Sequence, residues 1–143
     1  MSSPIIAIVT GANRGIGHAI CQTLAADFKE PLLLYAASRK GEDLGFKPSS
    51  TKTQIEYPSL DIASTNSINE LAKSIQRDHD GLDVLINNAG AALDDQHSPE
   101  NVKTTLDINY RGTLKVSESE SQDSTTVLTN ELFYRCVKLS YHF

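Results

Sequence analysis

The sequence predicts an α/β fold, a doubly wound parallel sheet with helices on both faces. Three observations carry this expectation. Short apolar runs alternate with helix-periodic stretches from residue 5 to about residue 86. The first run, Ile5-Ile6-Ala7-Ile8-Val9, leads directly into Thr10-Gly11-Ala12-Asn13-Arg14-Gly15-Ile16-Gly17. A later run, Asp83-Val84-Leu85-Ile86, leads into a second glycine-bearing segment, Asn87-Asn88-Ala89-Gly90.

Taken in order, residues 5–9 read as a strand, 15–28 as a helix, and Leu32-Leu33-Leu34-Tyr35-Ala36-Ala37 as a second strand. A polar loop rich in Lys, Ser and Gly runs through residue 52 and completes the first strand–helix–strand unit. Residues 53–60 read as a third strand, and 65–78 as a helix with Ile68, Leu71, Ala72 and Ile75 on one face. Leu82 to Ile86 is the fourth strand. Right-handed crossovers then give the strand order 3-2-1-4, a Rossmann-type half-fold truncated after about four strands. Its ligand crevice opens between strands 1 and 4, where both glycine segments fall.

Three glycines between a buried strand and a helix read as a dinucleotide cradle. Gly11 permits a tight turn off the strand, while Gly15 and Gly17 let a pyrophosphate and a neighbouring strand approach the backbone. The helix that follows offers free N–H groups and a positive dipole end to phosphates. A glycine-rich turn that only caps a helix is the other reading.

A chain of 143 residues, 39% hydrophobic and 22% charged, is enough for one globular domain with a real core. The net charge of −5 gives no electrostatic reason to expect nucleic acid or an anionic membrane as partner. The opening Met1-Ser2-Ser3-Pro4 has no basic leader, and the five-residue apolar run after it is too short for a signal core or a membrane span. A cytoplasmic protein is expected. Cys21 and Cys136 form neither a metal spacing nor a redox pair, so no metal is expected. His18, His79, His97 and His142 have no partner pattern and read as surface residues.

The spacing Gly-x-x-x-Gly-x-Gly, the Asn87-Asn88-Ala89-Gly90 segment and Asp107-Ile108-Asn109-Tyr110-Arg111-Gly112-Thr113 together resemble the short-chain dehydrogenase/reductase family, in particular its NADPH-dependent carbonyl reductases. The resemblance covers residues 4 to about 116. It implies an oxidoreductase that interconverts small-molecule carbonyls and alcohols by hydride transfer. It also implies that Gly11, Asn13, Arg14, Gly15, Ile16 and Gly17 hold the cofactor, and that Asn88, Ala89 and Gly90 line it. Asp61, with Ile62 beside it, matches the family's carboxylate for the adenine amino group; a helix cap near Ser64 is the alternative use of that side chain. Asn109 matches the family's proton-relay asparagine.

Coenzyme choice follows from charge at the end of strand 2. NAD enzymes usually place a carboxylate there, whereas this chain has Ser38-Arg39-Lys40. A 2′-phosphate suits the guanidinium groups of Arg39 and Arg14, so NADP(H) is favoured over NAD(H). Glu42 and Asp43 nearby keep NAD open, and Arg39 and Lys40 also read as a solvated pair.

Beyond the half-domain of residues 1–116, residues 117–126 read as a Ser-rich acidic linker and 127–143 as a short amphipathic tail, with Leu128, Leu132, Phe133, Cys136, Val137 and Leu139 at helical spacing. The tail holds Tyr134 and Lys138 in the family's Tyr-x-x-x-Lys spacing, with Ser121 at its Ser-to-Tyr distance. On a helix, positions i and i+4 share a face, so the pair has a catalytic reading. Too few residues separate Asn109 from Ser121 for the helix and strand that deliver the serine in the family, which favours a chance match.

The expectation is therefore a truncated oxidoreductase that binds NADP(H) and turns over little. A compact working reductase using Ser121, Tyr134 and Lys138, and a non-catalytic NADP(H)-binding or subunit-interaction module, are the alternatives. The open edge of strand 4 invites self-association and low solubility unless the tail covers it.

Overall fold

The computed structural model describes residues 3–79, 81–91, 93 and 98–119, together with the backbone of 137–138. The apolar runs become strands and the amphipathic stretches helices, in the order β1 (Ile5–Thr10), α1 (Gly15–Asp27), β2 (Leu32–Ala37), β3 (Thr53–Glu56), α2 (Thr65–His79), β4 (Val84–Asn87), α3 (Pro99–Leu106), a π-helical turn (Asp107–Gly112), α4 (Thr113–Ser119) and β5 (Val137–Lys138). The sheet order is β3-β2-β1-β4-β5, all parallel. The expected 3-2-1-4 core is present, with a fifth strand at the edge of β4.

Strand alternation assigns the core. In β1 and β2, Ile6, Ile8, Leu33, Tyr35 and Ala37 point to one face, where Ile68 and Ile75 of α2 and Val116 of α4 cover them. Ala7, Val9, Leu32, Leu34 and Ala36 point to the other, under α1. The buried residues of α1 are Gly17, Cys21 and Ala25, a small-residue stripe that lets this helix lie close to the sheet. Phe46 and Tyr57 extend that face; the rings of His18 and Phe46 lie 4.7 Å apart, and those of Phe46 and Tyr57 6.1 Å apart.

Several details differ from the sequence reading. The third strand stops at Glu56, not at residue 60, just before Pro58, which has no N–H to give a ladder. The fourth begins at Val84 because Asp83 pairs with Ile6 through its side chain: the Ile6 N–H donates to Asp83 Oδ2 at 2.7 Å, while the Asp83 N–H donates to the Ile6 carbonyl at 2.9 Å. Residues 117–119, expected in the linker, complete α4, and the Ser117 hydroxyl accepts from Asn87 Nδ2 of β4 at 3.1 Å. The tail departs from its helical reading at residues 137–138: Val137 and Lys138 are extended and pair with Ile86 and Asn87. The unpaired N–H and C=O groups along β4 outcompete the helical pattern there. Ser121, Tyr134, His97 and His142 lie outside the described residues.

His79 is not a bare surface residue. Its Nε2 and the Tyr35 hydroxyl share a hydrogen bond of 2.7 Å, joining the end of α2 to the middle of β2. The partner lies 44 positions away in sequence, beyond any local pattern. Burial, with the carboxylates of Glu56 and Asp78 adding to it, pushes the Tyr35 phenol up to about 12; burial alone pushes the Cys21 thiol up to about 12. Both groups therefore fold in the neutral form.

Above their ordinary values the unfolded chain ionises first and binds fewer protons than the folded one, so stability falls as pH rises. The expected result is a thermal midpoint that declines between pH 9 and about 12, with Cys21→Ala removing the part that starts near pH 9. A melting series across that range checks it. At β3, the buried Thr53 hydroxyl has no hydrogen-bond partner among the described residues. Replacing it with an isosteric methyl in Thr53→Val removes that penalty and is expected to stabilise the chain by about 1 kcal/mol, read by denaturant unfolding.

Candidate dinucleotide site

The site grows from the carboxyl ends of β1 and β4. Thr10 closes β1 and is 1% exposed; its Oγ1 accepts the N–H of Asn88 at 3.0 Å and that of Ala89 at 2.9 Å. In return, Asn88 Nδ2 donates to the carbonyls of Thr10 at 3.0 Å and Gly11 at 3.2 Å. The turn after β1 and the segment after β4 are thus one hydrogen-bonded unit.

Glycine is required where that unit is tightest. Gly11 has φ +71, and a Cβ on it would stand 2.9 Å from Ala89 Cα. A Cβ on Gly17 would stand 2.4 Å from the Gly11 carbonyl oxygen and 2.3 Å from Asn88 Nδ2, so the start of α1 folds back onto the turn that precedes it. Arg14 occupies the cap position of α1 in extended backbone, with no side-chain cap hydrogen bond and no acidic residue in the first turn. Among the described residues no side chain caps the first N–H groups of α1, the arrangement that receives an anion at a helix N-terminus. Asn13, Arg14, Gly15 and Ile16 are exposed on this rim.

The adjoining strands supply the remaining expected residues. The Ala12 N–H donates to the Ala37 carbonyl at 2.9 Å, fastening the glycine turn to the end of β2. Ser38 follows, 4% exposed, and Arg39 and Lys40 are exposed beyond it. A parallel bridge between Ser38 and Ser59 carries the sheet past β3. Asp61 is half-buried; its Oδ1 accepts from the Ala63 N–H at 3.0 Å, while Ser64 Oγ accepts from the Ser67 N–H at the start of α2. The capping role near Ser64 thus belongs to Ser64 itself. Ile62 is buried, with Gly112 packed against its carbonyl.

Asn109 lies in the π-helical turn, a departure from regular helix often found at functional sites. Its Oδ1 accepts from the Ala91 N–H and its Nδ2 donates to the Ala91 carbonyl, both at 2.7 Å. The side-chain amide thus pairs with the backbone as a neighbouring strand would, and holds the segment after Gly90 against the helix. Ser98 begins that helix by accepting from the Asn101 N–H at 3.1 Å. Asp107 pairs with Lys103 at 2.7 Å and with Arg111. Lys103 first, then Arg111, holds its carboxyl below the usual carboxylate range.

The structure brings together the glycine turn, Asn88 to Gly90 and Asn109, with Ser38, Arg39, Asp61 and Ile62 along the same sheet edge. It does not add the tail: the Lys138 backbone belongs to β5, and Ser121 and Tyr134 are outside the described residues. The Tyr134–Lys138 pair stays an expectation, of which only the extended Lys138 backbone, paired with Asn87, is described. Thr10 and Ser59 carry bonds at this end of the sheet that the sequence reading did not single out. Thr10 sits inside the glycine motif, where strand-end threonine before Gly-x-x-x-Gly was the available signal; Ser59 had none, since its partner lies 20 positions away.

Comparison with known proteins agrees with this geometry. The short chain dehydrogenase family model matches residues 5–123, beyond the limit near 116 that the motifs marked. Carbonyl reductase [NADPH] 1 of Mus musculus is 35% identical over 119 residues, which is 80% of this chain and 43% of that protein. The (+)-neomenthol dehydrogenase of Arabidopsis thaliana is 31% identical over 144 aligned positions, 98% of this chain and 45% of that protein. The alcohol dehydrogenase of the archaeon Thermococcus sibiricus, solved with 5-hydroxy-NADP, superposes with a TM-score of 0.66 at 26% identity, over 83% of this chain and 52% of that one. The chain thus spans less than half the length of the two curated relatives.

Because Thr10 Oγ1 receives two N–H groups, Thr10→Val removes both of these bonds. A loss of about 2–4 kcal/mol is expected in denaturant unfolding, more than a surface Thr→Val change produces.

Proposed function

Since this chain belongs to the short-chain dehydrogenase/reductase family, we propose that it is an oxidoreductase chain whose described half binds NADP(H) and whose turnover of carbonyl substrates is low. The observation that carries the reading is the interlock of Thr10, Gly11 and Gly17 with Asn88 and Ala89, which packs the start of α1 onto the β1 turn and leaves Gly15, at φ +58 with nothing within 4 Å of a Cβ, on the open rim. The family's relatives with NADPH in their names, and the neighbour solved with an NADP derivative, support the same coenzyme.

In this reading the outward N–H groups of α1 hold the pyrophosphate. Arg39 and Arg14 neutralise the 2′-phosphate, for which a guanidinium offers two parallel donors. Asp61 accepts from the adenine amino group, and Asn88, Ala89 and Gly90 line the path toward the nicotinamide. Asp43, one of the two nearby carboxylates that would instead serve a ribose hydroxyl, is engaged within its own loop: its Oδ1 accepts from the Gly45 N–H at 2.8 Å, and burial first, then its charge, raises the Tyr57 phenol beside it. NADPH, when bound, supplies the hydride that reduces a carbonyl carbon.

Asn109 braces Ala91 through its side chain, so a relay role falls to its backbone carbonyl. The low-turnover part of the reading is supported at Lys138, whose backbone is extended and pairs with Asn87 in β5. A small carbonyl or alcohol is the proposed substrate class. Self-association is proposed at the outer edge of β4, where β5 pairs only with Ile86 and Asn87 among the described residues.

A fluorescence titration with NADPH and NADH, followed by a carbonyl-reduction assay over ketones and quinones, tests the reading. The expected outcome is saturable binding with NADPH at least about ten-fold tighter than NADH, and little or no turnover. Absence of NADPH binding overturns the reading; turnover that disappears in Tyr134→Phe overturns its low-activity part and makes the tail catalytic.

A further inference from the structure

Ser59 and Gly41 hold the main chain of Arg39 from below. The Ser38 N–H donates to the Pro58 carbonyl at 3.2 Å and the Leu60 N–H to the Ser38 carbonyl at 2.8 Å, so the chain after β2 stays in sheet register opposite Ser59. One residue on, Ser59 Oγ donates to the Arg39 carbonyl at 2.9 Å. Ser38 Oγ then accepts from the Gly41 N–H at 3.2 Å and turns the chain back over Ser59. Gly41 has φ +62, and a Cβ on it would stand 2.8 Å from the Ser59 nitrogen. Residues 38–41 are thus fastened at three successive points, two of them by serine hydroxyls, and none of these bonds reaches the glycine turn.

A guanidinium recognises a phosphate by a planar, two-pronged approach, which depends on where its Cα is held as well as on its charge. An exposed arginine on a free loop would pay rotamer and loop entropy on binding; one whose own carbonyl is anchored loses less. We propose that Ser59 is a positioning residue for coenzyme discrimination. Its hydroxyl fixes the Arg39 backbone so that the guanidinium is presented to a 2′-phosphate, with Gly41 allowing the close crossing. The inference rests on the NADP(H) reading above and deepens it. It concerns only the phosphate-bearing coenzyme, because NADH has nothing for Arg39 to grip.

The test is the dissociation constant of NADPH and of NADH, measured by titration for the wild-type chain, Arg39→Ala, Ser59→Ala, Ser59→Thr and the Arg39→Ala/Ser59→Ala double variant, with thermal melting to confirm that each is folded. Ser59 is exposed, so its truncation is not expected to unfold the chain. Ser59→Ala is expected to weaken NADPH about five-fold, the effect of one net hydrogen bond, and to leave NADH unchanged. Ser59→Thr keeps the hydroxyl and is expected to retain the wild-type ratio. The double variant is expected to match Arg39→Ala, since an arginine that is absent cannot be positioned.

Equal weakening of both coenzymes by Ser59→Ala makes the contact merely structural and overturns the inference, as does no change in either. Failure of Ser59→Thr to hold the ratio, or a double variant weaker than Arg39→Ala, overturns it too. If Arg39→Ala itself leaves the NADPH-to-NADH ratio unchanged, the coenzyme reading fails and the clamp with it. If Arg39→Ala collapses the ratio and Ser59→Ala does not, the clamp alone fails.

Discussion

The rest of the molecule depends on the junction between the chain leaving β1 and the chain leaving β4. One hydroxyl, that of Thr10, takes two backbone N–H groups from residues 78 and 79 positions away, and one amide, that of Asn88, returns two bonds to the β1 turn. Parallel strands cannot be joined by a short hairpin, so their carboxyl ends must be held by contacts of this kind. With the junction made, the start of α1, the end of β2 and the segment after β4 meet at one end of the sheet, packed as closely as the glycines at 11 and 17 allow.

The two faces of the sheet reach the same result by different packing. Beneath α1 the core uses small residues, Ala7, Ala12, Cys21, Ala25 and Ala36, so that helix and sheet come close and the helix start is brought down onto the glycine turn. The opposite face carries larger groups, Ile8, Leu33, Tyr35 and Leu85, met by Ile68, Ile75 and Val116. Polar ties between elements sit at the margins of that apolar layer. Tyr35 meets His79, Asn87 meets Ser117, and Lys115 Nζ donates to Thr65 Oγ1 at 2.9 Å. Each joins residues far apart in sequence; the first two are partly buried, where an unmade bond is costly, and the third is exposed.

Helix geometry is bent to the same end. From Pro99 to Ser119 the chain is helical, but the turn at Asp107–Gly112 is widened. At that turn Asn109 grips both backbone groups of Ala91, and Gly112 is buried against Ile62. A regular helix satisfies its own backbone and has no reason to reach outward; here the departure is held by bonds to the segment after β4 and by close packing on Ile62.

Much of this was legible in the order of residues. Alternation of Ile6 and Ile8 with Ala7 and Val9 assigns two core faces; the spacing of Gly11, Gly15 and Gly17 behind a strand implies a tight strand-to-helix turn; the Ile68–Leu71–Ile75 period implies α2. These are local features, decided by side-chain periodicity and turn chemistry within a few residues, and folding leaves them intact. What only the tertiary structure decided are pairings between distant residues: Ser59 under Arg39, His79 against Tyr35, Asn109 on Ala91, and Val137–Lys138 along β4 in place of a helix. A serine or a histidine carries no mark of its partner, and an amphipathic segment takes whichever form satisfies its backbone. At Val137 and Lys138 that form is set by the open edge of β4, whose unpaired hydrogen-bonding groups exist only once the sheet has assembled.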